Sequence, residues 1–509
     1  MDMRAEKGSI QLERPLGRCE SLFPVEGDVT LPGSLRETTN ILHTCAMAVV
    51  ESAEAMQDRI NVSGRVIFRV LYTQGNSAKA ESIEAAADFT HVCEMKGALS
   101  GSEVFACAEA AHASAAVQGG RVHMKAEVQL HARAVLGEPM EVITGAGLPD
   151  AEKKTAQVRL RRTVGRGSSD VLLREEFALP PEMQIQDTLG ATASVRMTDT
   201  AGGQGRIGLS GEVVIEAVHT SGVPGKPLVV TRHTVPVSQS VEIRGEGGDL
   251  LDGRMVVKDV AVASQDAGDG ERTLRSEVLL GLTAWADQEE EASLLQDAYT
   301  TQGDMLHLTS APVAVRTGDQ RIHAAESGKA ALLLPEGAQA LRTMLAAFAV
   351  PVMAGHNQSG NRLIVEGVLE TTLIYMPQEG DAPVSARMDA PFRAAFALSA
   401  APDDILTLTV DSVEAVPVTS DRAEMRYILH LNVDGLQTQQ VSVVTEAAAV
   451  PAAVPVKDIV LYFTQPGETV WDIAKRYRVT QSDLHRLNPD LPEEPKAGQG
   501  VVVWRRNHV

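Results

Sequence analysis

Signatures of catalysis are scarce in this chain of 509 residues. No Walker A, His-Glu-x-x-His or EF-hand pattern occurs. Gly101-Ser102 and Gly167-Ser168 lack the flanking residues of a Gly-x-Ser-x-Gly nucleophile elbow. The 13 histidines are scattered, with His112, His123 and His131 the densest group, and alternate positions on strands account for them. With no nucleophile–base pair, the chain is read as non-catalytic, without cofactor or metal. The 4 cysteines, Cys19, Cys45, Cys93 and Cys107, all lie in the first quarter, and no two form a Cys-x-x-Cys pair. Buried reduced thiols are expected, with a zinc site or disulfides as the alternatives. The longest apolar run, Leu345 to Val350, is broken by Pro351 and is far too short to span a bilayer. Met1 to Lys7 has no apolar core, so no secretory signal is read, and a cytoplasmic location is expected.

Basic residues are outnumbered, 46 Lys/Arg against 67 Asp/Glu, for a net charge of −21. An acidic surface disfavours general nucleic-acid or anionic-membrane binding. Aromatics are only 4%, while Gly is plentiful at 42 residues, among many Val, Ala and Thr; this favours β-rich domains over helical bundles. The length suggests three or four domains.

Two local clusters have bland readings. Gly203-Gln204-Gly205-Arg206-Ile207-Gly208 fits Gly-x-Gly-x-x-Gly, but a dinucleotide site needs a strand before it and a helix after it. Here the preceding residues are polar and a strand follows, so a loop is expected. Lys153, Lys154, Arg159, Arg161, Arg162 and Arg166 alternate in part with Val158 and Leu160. They read as a strand with one basic face, a solvated linker or else a docking patch for an acidic partner or a neighbouring repeat.

The most informative stretch is the last, from Asp458 to Val509. Val460 to Thr464 is β-prone and closes at the Pro466-Gly467 turn. Thr469 with Asp472, and Thr480 with Asp483, have capping-box spacing. Val470, Ile473, Ala474 and Tyr477 fall on one face of a first helix, and Leu484 and Leu487 on one face of a second. Asn488-Pro489 ends the second helix, and Val501 to Trp504 makes a closing strand. The order is β-α-α-β.

This order, with Pro466-Gly467-Glu468-Thr469, Trp471-Asp472-Ile473-Ala474, Asn488-Pro489 and Gly498-Gln499, resembles a LysM module. The resemblance implies a shallow groove for N-acetylglucosamine-containing glycans such as peptidoglycan. Pro466, Gly467, Glu468, Thr469 and Val470 would line one side, and Asn488, Pro489, Asp490 and Leu491 the other. Arg478 departs from the pattern where a helix-ending glycine is common, and so does the terminal Trp504-Arg505-Arg506. Trp471, beside Val470 in the first helix, is expected to pack against the strands.

The remainder repeats itself with a period near 150 residues. A Leu-Pro pair recurs at Leu31-Pro32, Leu179-Pro180 and Leu334-Pro335. A strand built around a glycine recurs at Gly64 to Tyr72, Gly211 to His219 and Gly367 to Tyr375. A late strand pair follows: Val104–Ala113 with Val122–Leu136, Met255–Ala263 with Thr273–Ala284, and Leu406–Val418 with Arg422–Val433. Val66, Phe68, Val70 and Tyr72 fall on one face, and Arg65 and Arg69 on the other.

The expected fold is mainly β: three tandem all-β, sandwich-like repeats at 9–144, 157–300 and 311–447, an Ala/Pro linker at 448–457, and the α+β module at 458–509. Three such repeats before one LysM module resemble the SPOCS-domain proteins of endospore-forming Firmicutes. That resemblance implies a non-catalytic scaffold of spore-envelope assembly in the mother cell, recruited to the forespore surface. Its implied partner is a SpoIVA-like coat morphogenetic protein, docked through the LysM module. The alternative is a peptidoglycan-binding protein of the cell wall or spore cortex.

Overall fold

A computed structural model describes residues 5–30, 39–75, 77–146, 151–203, 205–268, 271–451 and 459–504. It is mainly β. Strands come first in three sets. The first set is β1 (Ala5–Thr30), β2 (Thr39–Met56), β3 (Arg59–Gln74), β4 (Ala80–Glu94), β5 (Glu103–Gln118) and β6 (Arg121–Ala146). The second is β7 (Ala151–Ala178), β8 (Ile185–Gly203), β9 (Arg206–Ser221), β10 (Leu228–Glu242), the two-residue β11 (Arg244–Gly245), β12 (Leu250–Gly268) and β13 (Glu271–Thr300). The third is β14 (Met305–Leu333), β15 (Leu341–Ser359), β16 (Arg362–Pro377), β17 (Val384–Phe396), β18 (Ile405–Thr419) and β19 (Arg422–Val450).

Each set makes two antiparallel sheets of the same order. In the first unit they are β1-β6-β5 and β2-β3-β4; in the second, β11-β7-β13-β12 and β8-β9-β10; in the third, β14-β19-β18 and β15-β16-β17. The two inner faces of each unit enclose one core. In the first, Val66, Phe68 and Val70 of β3 are buried with Met124, Val128 and Leu130 of β6. The alternation of β3 explains this, because every second side chain points inward. Arg69, on the opposite face, is also buried: its guanidinium pairs with Glu84 at 2.7 Å and donates to the Val260 carbonyl of the second unit at 3.0 Å.

The recurring glycine sits in the middle strand of each second sheet. A Cβ on Gly64 would stand 2.2 Å from the Val49 carbonyl oxygen and 2.7 Å from the Phe89 ring. On Gly367 it would stand 2.1 Å from the Val352 oxygen and 2.9 Å from Phe392. The absent side chain lets an aromatic ring of the next strand lie over the backbone. Gly367→Ala is therefore expected to cost roughly 1–3 kcal/mol through overpacking, read as a lower urea midpoint. An unchanged midpoint would show that the close approach is dispensable.

Other sequence features fall into place. Leu179 and Leu334 close their units, donating backbone N–H bonds to Arg272 O and Asp421 O; Leu31-Pro32 lies outside the described residues. Gly205, at positive φ, leads directly into strand β9, where a dinucleotide site would need a helix; Gln204 lies outside the described residues. The basic segment forms the start of β7, with Val158 and Leu160 buried. Ala448 to Val450, read from sequence as the start of a linker, continue the β19 ladder against Met305 to His307; residues 452–458 are not described.

The units meet at both ends around an internal cavity of about 1020 Å³. At one end the first and last strands of the units run on as two-stranded ribbons and bundle into a hub. Leu12, Leu160 and Val315 from the first strands meet Val142, Leu294 and Val443 from the last. Farther along, Leu42 and Leu71, Val218 and Leu228, and Ala346 and Ile374 form a second three-way contact.

A bulge marks where each ribbon leaves its sandwich, between Pro15 and Gly17, Ala286 and Asp287, and Arg316 and Gly318. Bulges bend a strand and re-aim its side chains. Here they gather a buried ion network from all three units. Arg316 holds Asp287 at 2.5 Å, Asp319 at 2.7 Å and Glu13 as well, while Arg161 reaches Asp287 at 2.8 Å. Nearby, Arg133, Arg254 and Arg321, one from each unit, converge on Asp434. Burial, then the neighbouring Arg321 charge, lowers Arg254 to about 9.

Two buried histidines are held neutral. His219 bonds Thr188 at 3.1 Å and Thr231 at 2.8 Å, and burial lowers it to about 4. His43 stacks on Phe348 of the third unit at 4.1 Å, and burial, followed by Arg387, lowers it to about 3. Unfolded histidine takes its proton near pH 6.5. Below that pH the unfolded chain binds more protons than the folded one. The associated stability is thus present above about 6.5 and lost as the pH falls toward these lower values. Going from pH 7 to pH 5 is expected to cost about 2 kcal/mol per histidine. Urea midpoints at the two pH values measure this, and His219→Gln should flatten the dependence.

Candidate functional site

The last element group is β20 (Ile459–Phe463), α1 (Val470–Tyr477), α2 (Gln481–Leu487) and β21 (Gly500–Trp504). β20 and β21 pair antiparallel, with Tyr462 opposite Val501. Both helices start on threonine caps. Thr469 accepts from Asp472 N and donates its own N–H to the Asp472 carboxylate, a full capping box, which first of all holds Asp472 below the usual carboxylate range. Thr480 accepts from Asp483 N at 3.0 Å. Val470, Ile473 and Ala474 are buried with Leu484, Leu491, Val501 and Val503 in one small core.

The nine groove residues expected from sequence fall in two neighbouring segments. A backbone bond from Val470 N to Glu493 O, 3.0 Å, ties them together. Pro466, Gly467, Pro489 and Asp490 are exposed, and Thr469 and Asn488 half-buried. The other three turn inward. Glu468 is buried, accepting from Tyr462 Oη at 2.7 Å and Gln465 N at 3.0 Å and pairing with Arg476 at 2.8 Å. It fixes the first turn from behind. Val470 and Leu491 fill the core, so the apolar contact at this surface does not come from their side chains. Asn488 is a brace: its amide donates to Leu484 O at 2.9 Å and Val502 O at 2.8 Å and accepts from Val502 N at 2.8 Å, locking α2 to β21. What remains outward is backbone on two facing turns, with Asp490 the charged side chain among them.

The structure also shows a contact that the periodicity of the sequence does not contain. The group is docked on the hub end of β13. Trp471 Nε1 donates to Asp297 at 2.8 Å, and its ring meets Tyr299 edge-on at 4.9 Å. Lys475 pairs with Asp297 at 2.6 Å, and Tyr299 Oη donates to Val479 O at 2.8 Å. Arg478, in the left-handed conformation at φ 54°, donates to Thr300 O at 3.0 Å and Gly303 O at 2.7 Å. Its place in a position that favours glycine was the one signal of docking in the sequence. The opposite side of the group is bare: Ile459, Leu461 and Phe463 of β20 are 72%, 59% and 56% exposed.

The fold and site define a non-enzymatic β scaffold carrying a small two-helix binding module. Comparison with known families agrees. Residues 38–118, spanning β2 to β5, match the family described as SipL, SPOCS domain, and residues 462–504 match the LysM domain family. Both are domain families without catalytic activity, and the first places the chain with sporulation-related proteins. No curated protein and no solved structure matches the chain.

Proposed function

We propose that this protein is a structural adaptor of spore-envelope assembly, in which three SPOCS-type units form a scaffold and the LysM module recognises a coat morphogenetic protein. The match over the first unit supports the first part, together with the identical sheet order of the other two. The observation that carries the second is the module's placement. One face is fixed to β13, while β20 presents three apolar side chains to solvent. Exposed apolar faces of this kind suit protein partners better than sugars. In this reading the protein acts in the mother cell and reaches the forespore surface through that partner, without inserting in a membrane.

The LysM similarity itself supports the second reading, binding of peptidoglycan or other N-acetylglucosamine glycans through the 466–470 and 488–491 segments. The facing turns offer backbone N–H and C=O groups of the kind acetamido sugars need. Cosedimentation of the full chain with insoluble peptidoglycan, and with a purified SpoIVA-like ATPase, separates the two. The first reading expects retention by the protein alone, lost in Leu461→Asp/Phe463→Asp. Saturable glycan binding competed by N-acetylglucosamine oligomers, unaffected by those changes, would replace it with the second.

A further inference from the structure

Two of the four cysteines face each other across the seam where the sheets of the first unit meet. β1 and β4 are edge strands of different sheets and run side by side there. Their facing residues set a register. Phe23 stacks on His91 at 3.9 Å and tilts against Phe89 with centroids 5.3 Å apart. One rung along, Ser21 Oγ lies 2.8 Å from His91 Nε2. The next rung is Cys19 with Cys93, and the Cys19 thiol donates a hydrogen bond to the Cys93 sulfur. Both belong to the core of this unit, at 8% and 2% exposure, and both are unbridged.

The other two thiols have a different setting. Burial pushes Cys107 up to about 12, and burial likewise raises Cys45. Cys93 is held below the ordinary thiol range, because it accepts the bond from Cys19. The thiolate is the reactive form, so Cys93 is the better nucleophile of the four.

We propose that Cys19 and Cys93 are a redox site that closes a disulfide between the two sheets of the first unit, with a peroxide as oxidant. The Cys93 thiolate attacks one peroxide oxygen, the O–O bond breaks, and a sulfenic acid and water form. The Cys19 sulfur then attacks the sulfenic sulfur, the S–O bond breaks, and the oxygen leaves as a second water with the Cys19 proton. The two sulfurs lose two electrons together and the peroxide gains them. The new bond links strand edges that hydrogen bonding leaves separate, and closes the chain between residues 19 and 93 around all of β2 and β3. Such a closure restricts the unfolded chain and so stabilises the folded unit.

The test uses the full chain with Cys45→Ala and Cys107→Ala, treated with hydrogen peroxide and then mapped by mass spectrometry. Expected are the joint loss of both remaining thiols, a single linked peptide joining Cys19 to Cys93, its reversal by dithiothreitol, and a urea midpoint that rises on oxidation. Thiols that stay titratable in the folded chain, or that are lost separately as sulfinic and sulfonic acids with no linked peptide, overturn the proposal. If the double variant does not fold, the unaltered chain is mapped the same way: a link between Cys19 and Cys93 supports it, and any other pairing, or none, overturns it.

Discussion

Arg316→Ala should destabilise the protein by about 3–5 kcal/mol, the range found when one partner of a buried ion pair is removed. The arginine is 5% exposed and Asp287 is 0% exposed. It ties carboxylates from three units to one guanidinium: Glu13, Asp287 and its own neighbour Asp319. Burial pushes Glu13 up, and Arg316 offsets part of this. Burial would raise Asp319 too, but its bond to Arg316 holds it below the usual range. Without Arg316 these carboxylates crowd together, with Arg161 the nearest remaining cation on Asp287. The variant should show a lower urea midpoint and a smaller penalty when Glu13→Gln is added, because the second change removes a stranded charge. Additive losses would mean that the two groups act independently.

Trp471→Ala should be the most damaging single change in the C-terminal module, at roughly 3–5 kcal/mol for a large aromatic removed from a packed site. Trp471 lies in the module's own core and also makes the edge contact with Tyr299 and the bond to Asp297. Asp297→Ala separates these two roles. It leaves Trp471 Nε1 and the Lys475 ammonium without their acceptor, yet removes nothing from the module's core. Amide hydrogen exchange is expected to show α1 destabilised in Trp471→Ala. In Asp297→Ala, α1 should stay protected, with faster exchange confined to the contact around Arg478, Thr300 and Gly303. Equal loss of α1 protection in both variants would show that the module cannot hold its fold undocked.

How much of this was legible follows from the range of each force. The half-buried strands announce themselves, because burial on one face imposes alternation over a few residues, as along Val66 to Tyr72. The helix starts at Thr469 and Thr480 are local as well, since a cap and its partner are three residues apart. Groove side chains were harder: Leu491 and Val470 look equally able to face out or in until the core of the module is assembled. The inter-unit contacts were not legible at all. Arg69 reads as a solvent-side residue of β3, and only the approach of the second unit buries it. Likewise nothing near Asp297 in sequence marks it as the acceptor for Trp471, which lies 174 positions away. Ala448 to Val450 look like linker because small residues carry no periodicity, though their backbone completes the ladder with β14.

The ion network at the hub has a consequence for how such a molecule could arise. Glu13, Arg161 and Arg316 each follow the hub residue of a first strand, Leu12, Leu160 or Val315, and so occupy corresponding places around a common centre. In a homotrimer of separate identical chains, the same side chain would occupy all three places. Three arginines or three glutamates would then meet with like charge in a medium that screens poorly. Joining the units in one polypeptide lets each place differ, so that one glutamate can answer two arginines. Covalent fusion here does more than hold three copies together: it permits a centre that true threefold symmetry forbids.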